Sequence, residues 1–125
     1  MRESLPARRA SVSFEFVHTN LALGQTEYTA MLGYYEDGRL GEIFINATKV
    51  GTDVDTQVKD AAKLLSFAFQ HGVTLEELRE TMTRSANGAP EGVIGTLLDL
   101  IASDPSLAGG GNNPEMPESS VFSGG

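Results

Sequence analysis

With 125 residues, 40% of them apolar, the chain is long enough for one compact domain and too short for two. It has no cysteine, which excludes disulfides, thiolate nucleophiles, iron–sulfur clusters and cysteine-type zinc sites. The net charge is −8, from 17 acidic against 9 basic residues, the reverse of the balance that direct DNA or RNA binding needs.

Residues 1–10 carry Arg2, Arg8 and Arg9 against Glu3 and contain no apolar run of the signal-peptide kind. They are expected to form an extended basic leader. Residues 11–17 alternate, with Val12, Phe14 and Phe16 on one face and Ser11, Ser13 and Glu15 on the other, which predicts a half-buried strand. Asn20 and Gly24 predict a turn over residues 18–25. Residues 26–35, rich in Thr and Tyr, predict a second strand, and Asp37-Gly38 a hairpin turn after it. Residues 40–46 predict a third strand, with Ile43 and Ile45 on one face and Glu42 and Phe44 on the other.

After Gly51 the apolar period changes from two to between three and four. Thr52 or Asp53 suits a helix cap, and Val54, Val58, Ala61, Ala62, Leu65 and Phe69 make the buried stripe of a helix that ends at Gly72. Thr74-Leu75-Glu76-Glu77 is a capping box, and Leu75, Leu78 and Met82 mark a short second helix behind it. Residues 84–92 predict a loop, and residues 93–102 a third helix that buries Ile94, Leu97, Leu98 and Ile101. From Asp104 the glycines, prolines and serines cannot bury enough surface to offset ordering entropy, so residues 104–125 are expected to be a disordered acidic tail. The expected fold is α+β over residues 11–103: a small antiparallel meander of about three strands, then three helices packed on one face.

Few residues carry a chemical signal. Lys49-Val50-Gly51-Thr52 ahead of a helix is a candidate anion cradle, opposed by Asp53 and Asp55 at the same end, and a capped helix start is the plain alternative. Its spacing is not that of a P-loop. His18 and His71 lie far apart, outside any ligand-spaced pair, so no metal or cofactor is expected. Most carboxylates fall on strand faces or helix caps. Leu64, Phe67 and His71 form a second strip on the first helix, to be covered either by another helix or by a partner. Val121-Phe122 is an apolar pair in the acidic tail and a candidate binding motif. No apolar run approaches the length of a membrane span.

Several stretches together resemble a known family. They are Leu5-Pro6-Ala7-Arg8-Arg9, the run 33–45 around Asp37-Gly38-Arg39, Lys49-Val50-Gly51-Thr52-Asp53, Asp60-Ala61-Ala62, Phe69-Gln70-His71-Gly72-Val73, and Gly92-Val93-Ile94-Gly95 leading into Leu98-Asp99. This set resembles the TSCPD domain. That domain occurs at the C-terminus of adenosylcobalamin-dependent (class II) ribonucleoside-diphosphate reductases and in short stand-alone bacterial and phage proteins. The Thr-Ser-Cys-Pro-Asp string that names the family is absent here, where Gly92-Val93-Ile94-Gly95 stands in that region. The resemblance therefore does not extend to ribonucleotide reduction, which needs a cysteine radical and a redox-active cysteine pair. Cysteine-based metal or thiol roles of relatives are excluded on the same ground.

The resemblance implies a stand-alone, cytoplasmic accessory or regulatory module, linked to deoxynucleotide supply and joined to a protein partner or to copies of itself. The alternative is a small-ligand domain that holds a nucleotide or other anion through Arg8, Arg9, Lys49 or Arg84. The first reading uses Leu64, Phe67, His71, Val121 and Phe122 as its contact residues.

Overall fold

The computed structural model describes residues 2, 3, 5, 10–20, 24–48 and 53–108. Strands β1 (Ser11–Asn20), β2 (Gly24–Tyr34) and β3 (Leu40–Ala47) precede helices α1 (Asp53–Gln70), α2 (Leu75–Thr81) and α3 (Val93–Ser103). The strands make one antiparallel sheet in the order β1-β2-β3. The pairings Phe16↔Tyr28 and Tyr28↔Ala47, Phe14↔Ala30 and Ala30↔Ile45, bring the apolar residues of all three strands to one face. There they meet Val58, Ala62, Leu65 and Phe69 of α1 and Leu97, Leu98 and Ile101 of α3 in a single core. The fold is the α+β arrangement that the periodicities predict.

The β2–β3 turn is held by Tyr35 N–H to the Arg39 carbonyl (2.8 Å) and Gly38 N–H to the Tyr35 carbonyl (2.9 Å). Gly38 takes φ +91°, a conformation that costs a residue with a Cβ. At the end of α1, Gly72 has φ +90°, while Gly72 N–H and Val73 N–H reach back to the carbonyls of Phe69 and Ala68. The capping box forms: Glu77 N–H donates to Thr74 Oγ1 (3.1 Å), and Thr74 N–H donates to the Glu77 carboxylate (2.8 Å).

Four expectations need correction. The predicted turn over residues 18–25 is shorter, because β1 runs to Asn20 and β2 starts at Gly24. The alternation of Phe14 and Phe16 simply continues to His18, whose ring is buried and hydrogen-bonded. Val54, placed on the buried stripe of the first helix, is exposed at its first turn. The leader is anchored at its described residues. Glu3 N–H caps the Gln70 carbonyl at the end of α1 (2.8 Å), Tyr35 Oη donates to the Glu3 carbonyl, and Leu5 packs on Gly41. Finally, Leu107 and Ala108 pack on the core beyond the compositional break at Asp104, and Tyr34 Oη donates to the Leu107 carbonyl (2.8 Å). Burial and the nearby Asp104 push the Tyr34 phenol up to about 12, so it stays a donor at ordinary pH. Residues 109–125 lie outside the described residues.

One sheet edge is closed by side chains. α1 lies along β3, and three of its polar residues serve the backbone groups of that strand that have no strand beyond them. Asp55 Oδ1 accepts from Ala47 N–H (3.0 Å), Ser66 Oγ accepts from Ile43 N–H (2.8 Å), and Gln70 Nε2 donates to the Gly41 carbonyl (3.0 Å). Asp55 is 3% exposed and also pairs with Lys59 (2.9 Å). Leaving a buried backbone group unmet costs about 1–3 kcal/mol.

A second cluster ties α2 to α3 and the loop between them. Asp99 receives Arg79 Nε (2.9 Å) and both terminal nitrogens of Arg84 (2.8 Å each). The loop itself closes through a bridge between Arg84 and Pro90.

Two stability predictions follow from these contacts. Ser66→Ala strands the Ile43 amide and should lower the melting temperature by about 4–12 °C, the equivalent of about 1–2 kcal/mol for a domain of this size. An unchanged melting temperature would show that water replaces the hydroxyl at that edge. The guanidiniums of Arg84 and then Arg79 hold the Asp99 carboxyl down at about 2, against an ordinary 3.8. A depressed carboxyl stabilises the fold above its unfolded pKa. That contribution is complete above about pH 4 and is lost as the pH falls toward 2. Asp99→Asn should cost about 1–2 kcal/mol near neutrality, after allowing for solvent screening, and flatten the loss of stability across that acid interval. Melting curves between pH 2 and pH 7 check this, and parallel losses in both proteins would place the acid sensitivity elsewhere.

Candidate functional site

The described residues form a cleft of about 880 Å³. It opens between the sheet and the first turns of α1 and α3. Tyr28, Val58, Ala61, Val93 and Ile94 give it a mainly apolar wall, and Gln25, Gln57 and Glu91 supply polar groups. Gly92, the N-cap of α3, also lines it and brings no side-chain cap to the helix. The first amides of α3 therefore stand at the cleft with the positive end of the helix dipole.

His18 closes one side of the cleft. It is 5% exposed and joins β1 to α3: Nδ1 lies 2.8 Å from Thr96 Oγ1, and Nε2 lies 3.1 Å from the Glu91 carbonyl. A carbonyl only accepts, so Nε2 carries the proton, and in the neutral ring Nδ1 accepts from the Thr96 hydroxyl. With both nitrogens engaged, His18 is a structural clamp and has no free nitrogen to act as a base toward a ligand. Among the described residues, no three His, Asp or Glu side chains are grouped as a metal site would need.

The structure separates the residues singled out from the sequence. Arg84 is committed to Asp99 and to the Gly88 carbonyl (3.2 Å), away from the cleft. Arg8, Arg9 and Lys49 lie outside the described residues, as do Val121 and Phe122. Lys49 directly follows Thr48, which lines the cleft. Leu64 and Phe67 stand on the outer side of α1, 71% and 52% exposed, and neither α2 nor α3 covers them. The His71 ring lies tilted against Phe67 with ring centroids 4.3 Å apart, and the Arg2 guanidinium sits 5.7 Å from the Phe67 ring centre. These four side chains form one apolar and cationic patch.

Sequence reasoning missed His18, Asp55 and Gln70. A polar residue inside an alternating or helical stripe was the available signal. Gln70 lies one turn beyond Ser66, so both reach the same flank of α1.

Residues 6–104 match the TSCPD domain. A vitamin B12-dependent ribonucleotide reductase of Bradyrhizobium diazoefficiens is 34% identical over 82 residues, 66% of this chain and 6% of that protein. The enzyme of the same name from Agrobacterium fabrum gives the same identity and coverage, and that from Rhodopirellula baltica is 36% identical over 75 residues, 60% of this chain and 7% of its own length. The chain thus spans a small fraction of each of these relatives. No solved structure matches. No helix among the described residues is long and apolar enough to cross a membrane. The family match runs from the leader through α3, and the protein belongs to the TSCPD domain family, in a segment related to vitamin B12-dependent ribonucleotide reductases.

Proposed function

We propose that this TSCPD domain is a cytoplasmic accessory or regulatory module that docks on a ribonucleotide reductase. The observation that carries the reading is the exposed patch of Leu64, Phe67, His71 and Arg2 on α1. A helix face that leaves a Phe and a Leu in water has a use for them in contact with another protein. In the relatives the similar segment is a small part of a much larger chain. A domain of that kind has a reason to keep a face for the rest of the enzyme. The absence of cysteine leaves the chemistry of reduction to the partner.

A second reading is supported by the cleft. Its volume and its apolar wall suit a planar ring, and the uncapped start of α3 suits an anionic group. Arg84 is committed elsewhere, so Lys49, Arg8 and Arg9 remain as basic residues for such a ligand.

Phe67→Glu and Leu64→Glu change exposed positions and should move the melting temperature by no more than about 3 °C. Each should weaken capture of a B12-dependent ribonucleotide reductase from the same organism by about tenfold or more. Undiminished capture by both variants would remove the α1 face from the interaction. Val121→Ser with Phe122→Ser tests the tail pair in the same assay. For the cleft, titration with nucleoside mono-, di- and triphosphates should raise the melting temperature of the wild type and not of Lys49→Ala. Identical behaviour of the two would count against anion binding there.

A further inference from the structure

The two edges of the sheet are treated differently. β3 is closed by α1 through Asp55, Ser66 and Gln70. Among the described residues, no side chain closes the first half of β1 in this way. Tyr34 N–H donates to the Ala10 carbonyl (3.0 Å), and Ala10 stands opposite Tyr34 when the register Ser11↔Gly33 is extended by one residue. In an antiparallel ladder the bonded pairs alternate, so Val12, Phe14 and Phe16 turn their backbone groups toward β2. Ser11, Ser13 and Glu15 turn theirs away from the sheet. Among the described residues nothing hydrogen-bonds to these outward groups.

Edges of this kind are normally blunted by lysine, proline, a bulge or a covering element. β1 is ten residues long, keeps an unbroken register with β2, and contains neither lysine nor proline. α3 flanks its second half, where Pro90 and Leu100 share a shallow groove with Phe16 and Val17. The open stretch is therefore residues 11–15.

We propose that this stretch pairs with the same stretch of a second copy, antiparallel about a two-fold axis at Ser13, to make a continuous six-stranded sheet. The outward groups are backbone donors and acceptors in strand spacing, and another strand is the ligand that meets all of them. The sequence of the edge selects its own copy. With the axis at Ser13, Glu15 faces the Ser11 hydroxyl of the other copy, and Ser13 faces Ser13. An axis at Glu15 would oppose two carboxylates and push the partner strand toward α3. On the core side, the same register sets Val12 of one copy against Phe14 of the other, twice. Both side chains are only partly buried in the single chain. They meet at the close, non-bonded positions, where an aromatic and a β-branched residue pair well. The surface is separate from the Leu64 and Phe67 patch and holds whether or not that patch docks on a reductase.

Sedimentation velocity of the full chain, across about a hundredfold range of concentration, should show a reversible monomer–dimer equilibrium. Ser13→Pro removes an outward N–H and leaves the β1–β2 ladder intact. Two hydrogen bonds at the axis are lost, so dimerisation should weaken by about tenfold or more. Ser13→Lys sets two ammoniums against each other and should act in the same direction. It decides the matter if Ser13→Pro lowers the melting temperature of the monomer. The amides of Ser13 and Glu15 should gain protection from hydrogen exchange as concentration rises. A wild type that stays monomeric throughout, or a dimer that survives both Ser13 variants, overturns the proposal. So does a dimer that Phe67→Glu abolishes and the Ser13 variants leave intact.

Discussion

The contact on which the structure depends is the run of hydrogen bonds from α1 to the outer edge of β3. A three-stranded sheet has two edges and one middle strand, so the outward backbone groups of both outer strands have no strand to pair with. α1 answers this at the two ends of β3 and in the middle, with Asp55 on Ala47, Ser66 on Ile43 and Gln70 on Gly41. The helix is thereby fixed in rotation and in register. Its apolar stripe of Val58, Ala62, Leu65 and Phe69 is held over the core face, and the opposite side must face outward. The exposure of Leu64 and Phe67 is the geometric remainder of that choice.

The position of α3 follows from a different polar contact. His18 clamps β1 to the start of α3 through Thr96 and the Glu91 carbonyl, and the Arg79–Asp99–Arg84 cluster holds α2 and its loop against the same helix. Gly95 allows the loop to come close, since a Cβ there would lie 2.9 Å from the Cβ of Pro90. With α1 fixed to β3 and α3 fixed to β1, the first turns of the two helices stand apart over Tyr28. The cleft is the space between them.

Most of this fold was legible in the residues. Alternation located the first and third strands, a Thr- and Tyr-rich composition the second, Asp37-Gly38 the hairpin, the capping box the second helix, and the Val58 to Phe69 spacing the first. These signals are local and need no knowledge of what lies across the core. The site was less legible, because its polar residues act across long separations in sequence. Asp55 looks like a residue for the helix dipole until Ala47 is placed beside it. Arg84 looks like a free cation until Asp99 is. His18 opens an Asn- and Gly-containing segment that suggests a turn, and only the continued alternation marks it as inward. The two exposed residues of α1 were visible as a second strip, but whether another helix covered them depended on the path of α2 and α3.

Gln70 has one further consequence. Its side-chain oxygen accepts from Arg2, its nitrogen donates to Gly41, and its main-chain carbonyl accepts from Glu3. A side-chain amide accepts at its oxygen and donates at its nitrogen without carrying charge. The direction of that amide is set by its neighbours, because the Arg2 guanidinium can only give and the Gly41 carbonyl can only take. The start of the chain, the end of α1 and the edge of β3 thus share one oriented polar circuit. A carboxylate of the same shape at this position would break the circuit on the Gly41 side while strengthening it on the Arg2 side, so size alone does not specify the residue.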